Sequence, residues 1–119
     1  MTDPLLLRGV AEFNHGHFFE AHELWEEAWQ AAVGEEKSFY QGLVQLAVGY
    51  HKLLLAQRNG ARKLFERGQQ ILLGFPAGYA GVDLGPLLEM TAATLSKLVT
   101  DHPLTTFPTP TVRLLSTQC

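Results

Sequence analysis

Residues 17–32 read HFFEAHELWEEAWQAA, and the spacing inside this stretch decides the fold. At about 100° per helical residue, Phe18, His22, Trp25 and Trp29 share one narrow arc, while Glu20, Glu23 and Glu27 fall on the far side. An aromatic stripe opposed by carboxylates marks a helix that buries one face and wets the other. A strand would need alternation with a period of two, and the chain carries none longer than chance.

Helical signals continue in both directions. Upstream, Asp3-Pro4 reads as an N-cap followed by proline in the first turn, where a missing N–H costs nothing. The spacing of Leu6, Val10 and Phe13 predicts a first helix from about Pro4 to Phe13, stopped by Asn14-His15-Gly16. The second runs from about His17 to Ala32 and ends at Gly34, a residue suited to a left-handed cap. Downstream, a third and longest helix spans about Glu35 to Gln57. Glu35 and Glu36 favour the positive end of its dipole, and Phe39, Leu43, Leu46, Ala47, Tyr50, Leu53 and Leu54 form its stripe. Gly42 and Gly49 stand nearly above one another on it. Each costs about 1 kcal/mol in a helix interior, which predicts close approach by a neighbour.

Arg58-Asn59-Gly60 reads as the next break, with Asn59 capping a fourth helix from about Gly60 to Leu73. Residues 75–82 form a loop, and Asp83 or Gly85 caps a fifth helix from Pro86 to about Thr100. From His102 onward Pro103, Pro108 and Pro110 interrupt any regular element. The expectation is all-α: a single compact bundle of about five mostly antiparallel helices with an irregular C-terminal tail. Residues 1–101 form the bundle domain and residues 102–119 the Pro-rich tail. The small–aromatic–glycine rhythm near residues 11–29 echoes a tetratricopeptide helix pair, but no second copy follows at a period of about 34 residues.

Composition narrows the function classes. At 119 residues, 46% hydrophobic and 18% charged, the chain has the balance of one globular domain. Its net charge of −3 argues against a general nucleic-acid binder, which needs many basic contacts to phosphate. Cys119 stands alone, so no internal disulfide forms. Residues 1–12 lack the basic start and apolar run of a signal peptide, and no stretch reaches the ~18 apolar residues of a membrane span. These features predict a cytoplasmic location and no membrane partner. The glycine side of the third helix is the candidate surface for a homo-oligomer.

The residues that carry chemistry centre on the second helix. Glu26 lies one turn beyond His22, about 40° around the helix. A histidine and a carboxylate so spaced present a nitrogen and an oxygen to one divalent metal. Equally, Glu26 accepts a hydrogen bond from a half-buried His22, making the pair a structural polar clasp in a helical scaffold or protein-binding module. Two ligands do not make a metal site, so other helices must contribute, and His51 on the third helix is the first candidate. Glu20, Trp29 and Gln45 are candidate supporting residues, with Gln41 one turn from Gln45. His15 and His17 join only if the fold brings them round.

Other motifs fail. His22-Glu23 begins like the H-E-x-x-H helix of zinc proteases, but Glu26 replaces the second histidine. No phosphate loop, G-x-S-x-G elbow or Rossmann glycine pattern occurs. Lys52, Arg58, Arg62, Lys63 and Arg67 gather near the start of the fourth helix, and read as a solvated face.

Three blocks in order, residues 13–29 (FNHGHFFEAHELWEEAW), 39–52 (FYQGLVQLAVGYHK) and 58–68 (RNGARKLFERG), resemble the domain-of-unknown-function 309 family. That family comprises small helical bacterial and archaeal proteins with an H-x-x-x-E-x-x-(W/Y) motif, matched here by His22, Glu26 and Trp29. The resemblance covers roughly residues 10–73. It implies a metal or ligand site at His22 and Glu26, with a divalent transition metal as the candidate cofactor, and names no reaction.

Overall fold

Five α-helices follow one another along the described residues: α1 (Pro4–Asn14), α2 (Phe18–Ala31), α3 (Gly34–Leu54), α4 (Arg58–Leu72) and α5 (Leu84–Val99). The computed structural model describes residues 3–100 and 110–115. Each helix packs on the next, so α3 lies between α2 and α4. Short connections and amphipathic faces thus give the all-α bundle that the spacing predicts.

Asp3 caps α1 as expected. Its Oδ1 accepts the Leu5 N–H at 2.9 Å, and its Oδ2 accepts the Tyr40 hydroxyl at 3.2 Å, tying the start of α1 to α3. Burial, and then the neighbouring Asp3 charge, push the Tyr40 phenol up, so it stays a donor.

The turn after α1 is closed by a pair of crossed bonds, Gly16 N–H to Phe13 O and His17 N–H to Glu12 O, both 2.9 Å, with Gly16 left-handed at φ +80°. The same device ends α3 earlier than expected, at Leu54. There Ala56 N–H meets Leu53 O at 3.0 Å and Gln57 N–H meets Lys52 O at 2.9 Å. The left-handed residue is Ala56, at φ +60°. A non-glycine residue there costs about 1–2 kcal/mol, and no glycine or asparagine marks Ala56 as the place where the helix stops. Asn59 and Gly60, read as the break and cap, lie inside α4, whose N-cap is Gln57. The fifth helix likewise starts at Leu84, ahead of Pro86.

The core is aromatic. Phe13, Phe18, Trp25, Tyr50 and Phe65 are buried together, and the Tyr50 ring lies 5.8 Å from Phe13, 5.3 Å from Phe18 and 4.6 Å from Phe65. The Tyr50 hydroxyl shares a 3.0 Å hydrogen bond with Thr91 of α5. Trp25 donates its indole N–H to Leu6 O at 3.2 Å, fastening α2 to α1. Every predicted stripe residue of α3 is buried except Leu54, which is exposed at the helix end.

The close approach predicted for Gly42 and Gly49 is made by α4 of the same chain. A Cβ on Gly42 would stand 2.7 Å from Leu72 Cγ, and one on Gly49 would stand 2.7 Å from Phe65 Cε1. This glycine side, the candidate homo-oligomer surface, is covered within the chain.

Residues 110–115, read as part of an irregular tail, return to the bundle. A two-residue β-ladder pairs β1 (Val82–Asp83) with β2 (Arg113–Leu114) antiparallel. Val112 is buried, and Asn14 holds its backbone twice: Asn14 Nδ2 donates to Val112 O at 3.0 Å and Val112 N–H donates to Asn14 Oδ1 at 2.7 Å. Residues 101–109, including His102 and two of the tail prolines, lie outside the described residues.

Gly49→Ala is expected to lower the urea midpoint by an amount equivalent to about 1–3 kcal/mol, because the methyl meets a packed ring. Gly85→Ala, whose Cβ would meet only Asp83 Oδ1 at 4.0 Å, should leave the midpoint unchanged or raise it. Asn14→Ala removes both bonds to Val112 and is expected to cost about 1–3 kcal/mol. Limited proteolysis should then cut near residues 110–115 faster than in the parent protein.

Candidate functional site

The side chains singled out on α2 sit where the core ends. Phe18 and Trp25 point inward and are buried, so residues one step around the helix reach its margin with α3. There His22 Nε2 lies 3.0 Å from Glu26 Oε2, and His22 Nδ1 lies 3.2 Å from Phe19 O. Both ring nitrogens therefore face acceptor oxygens. The His22 side chain is 20% exposed and Glu26 46%, so the pair is half wet. The hydrogen bond expected between His22 and Glu26 is therefore present, and it runs along one helix without joining two.

His51 on α3 enters the same neighbourhood through Phe19. The Phe19 ring is 5.3 Å from the His22 ring and 5.3 Å from the His51 ring, while being 46% exposed itself. Glu20 lies elsewhere, in the groove between α1 and α2 with Arg8, Glu12 and Glu23. His15 and His17 stack at the α1–α2 corner, and His17 is 3.5 Å from Glu12. Among the described residues, no group of three or more His, Cys, Asp or Glu side chains stands ready to hold a metal ion. The donor set at His22 is one imidazole and one carboxylate, short of the three protein ligands usual for catalytic zinc.

A cavity of about 150 Å³ opens one turn further along, lined by Glu26, Trp29, Gln41, Val44 and Gln45. Gln45 brings an unusual feature to it. Its Oε1 is buried and has no hydrogen-bond partner, a condition that costs about 1–3 kcal/mol. At the far side, Lys37 donates from Nζ to Trp29 O at 2.9 Å and holds that ammonium 4.0 Å from the Trp29 ring centroid. Lys37 was not among the residues singled out from sequence. Eight positions separate it from Trp29, and only the α2–α3 turn brings it back over the ring.

Residues 6–64 match a family model described as Domain of unknown function (DUF309). The chain belongs to this family over that span. The DUF309 match takes in α2 and α3 whole, with most of α1 and the first half of α4, and so contains His22, Glu26, Trp29, Gln45 and His51. An uncharacterized protein from Aquifex aeolicus (strain VF5) is 27% identical over 84 residues, covering 70% of this chain. The aligned part is 25% of that relative, so the chain spans about a quarter of its length. No helix of the described residues is long and apolar enough to cross a membrane.

Because the His22–Glu26 bond is partly exposed and lies within one helix, its contribution to stability is expected to be small. A double-mutant cycle on His22→Ala and Glu26→Ala, followed by urea unfolding, should give a coupling below about 1 kcal/mol. A coupling well above that would mean the pair is a structural clasp after all.

Proposed function

We propose that the α2–α3 margin bearing His22, Glu26 and Trp29 is a small-ligand site, centred on the cavity that Glu26 and Trp29 share with Gln41, Val44 and Gln45. The observation that carries this reading is that Gln45, which lines the cavity, keeps a buried Oε1 with no hydrogen-bond partner among the described residues. Native proteins pair nearly all buried polar atoms, and an exception is stable only where something else offsets its cost. A bound group that donates to this oxygen is that offset. An aromatic wall with a few converging polar groups is the usual make-up of such a pocket.

A divalent metal at His22 and Glu26 is the second reading. It is favoured by His22 Nδ1, which at 3.2 Å from Phe19 O can donate there and orient Nε2 toward the Glu26 carboxylate. Metal-bound histidines use their second nitrogen in this way. His51 becomes the third ligand only if the Phe19 ring moves aside. No reaction is assigned to either version.

Gln45→Leu separates a ligand-directed oxygen from a structural one. Replacing the amide with an apolar side chain of similar size removes the unpaired oxygen, so the free protein should gain about 1–2 kcal/mol in urea unfolding. A loss of stability would overturn the ligand-site reading. For the metal version, equilibrium dialysis against zinc or manganese should load about one ion per chain, lost in His22→Ala; no retained metal removes that version alone.

A further inference from the structure

The groups around the α2–α3 cavity specify the sign and chemistry of what enters it. Glu26 contributes a carboxylate, which accepts only, and Gln45 contributes a side-chain amide whose Oε1 is buried behind the wall without a partner among the described residues. Trp29 contributes a ring whose face already hosts a positive charge, since Lys37 Nζ rests 4.0 Å from its centroid. Among the described residues, no basic side chain lines the cavity. The last turn of α2 also carries no basic residue of its own, so its free carbonyls add negative potential beside Trp29. The chain answers that potential from α3, with the Lys37 ammonium on Trp29 O at 2.9 Å. The side-chain amides of Gln41 and Gln45 are the neutral donors on this wall, and Glu26 Oε2 is held by His22, so the charge the cavity presents is the Glu26 carboxylate.

Size limits the ligand further. A cavity of about 150 Å³ holds roughly five waters at ~30 Å³ each, well below the several hundred Å³ of a pocket for a whole drug-sized molecule. It accommodates a head group with a tail running out to solvent.

We propose that this cavity binds the guanidinium or primary ammonium head of a small organic cation, paired with Glu26 and resting against Trp29, with the Gln45 side chain turning so that its Oε1 accepts from it. The assignment rests on the ligand-site reading above and names its ligand class. Lys37 then acts as an internal competitor: its ammonium occupies a ring face that the ligand's charge also favours.

The test is a titration of the full chain followed through the Gln45 side-chain amide and the Trp29 indole N–H by ¹⁵N-resolved NMR. The probes are butylguanidinium, its neutral counterpart butylurea, butyrate and zinc. Butylguanidinium should shift both resonances saturably, with butylurea and butyrate producing no saturable change. Glu26→Gln should weaken binding about tenfold or more, and Trp29→Leu should weaken it while leaving the circular dichroism unchanged. Lys37→Met should tighten binding, a result that a purely structural lysine would not give. If butylurea, butyrate or zinc saturates these resonances as well as butylguanidinium does, the ligand site stands and the cation assignment falls. If no probe moves either resonance, both fall.

Discussion

Tyr50 touches every other helix of the bundle. From its place on α3 its ring meets Phe13 of α1, Phe18 of α2 and Phe65 of α4, and its hydroxyl bonds Thr91 of α5 at 3.0 Å. A phenol buried this deeply must find a polar partner or lose a hydrogen bond to water without replacement. That requirement fixes where α5 lies, because Thr91 is itself fully buried. Gly49, the preceding residue, lets Phe65 approach the α3 backbone and so brings α4 close enough to join the same cluster. The helix order around α3 follows from these contacts.

The α2–α3 margin is a by-product of that packing. Turning Phe18 of α2 toward Tyr50 and Trp25 toward Phe13 leaves His22, Glu26 and Trp29 at the edge, beside Gln41 and Gln45 of α3. Core residues there satisfy every demand of shape and burial. Gln45 does not, since its oxygen is buried and unpaired. A local departure from complete pairing, in a fold otherwise consistent at each level, is where function is to be sought. The His22–Glu26 pair has the geometry of an ordinary hydrogen bond along a helix.

The DUF309 match ends at residue 64, and the remaining structure completes the core from outside it. Leu72, Leu84, Leu87, Thr91 and Val112 are all buried, and the last of these is held by Asn14 across 98 positions of sequence. The segment 110–115 thereby closes the α1–α2 corner and pairs with β1. Pro110 opens this segment, and the residues after it run extended, as backbone pairing at an edge requires.

Helical periodicity determined the number, order and buried faces of the helices, because an amphipathic pattern written every three to four residues needs only local spacing to be read. It also marked Gly42 and Gly49 as contact points, and Asp3 as a cap. Tertiary structure decided the rest. The end of α3 depends on a left-handed alanine that no propensity marks, and the Asn14–Val112 pairing on a return of the chain that no window contains. At the site, the motif His22, Glu26 and Trp29 was legible. That Phe19 lies against both His22 and His51, that Glu20 lies in another groove, and that Lys37 covers Trp29 are products of helix packing. Spacing states which residues share a face of one helix; which faces meet, and which polar atom is left without a partner between them, depends on contacts between helices that are distant in sequence.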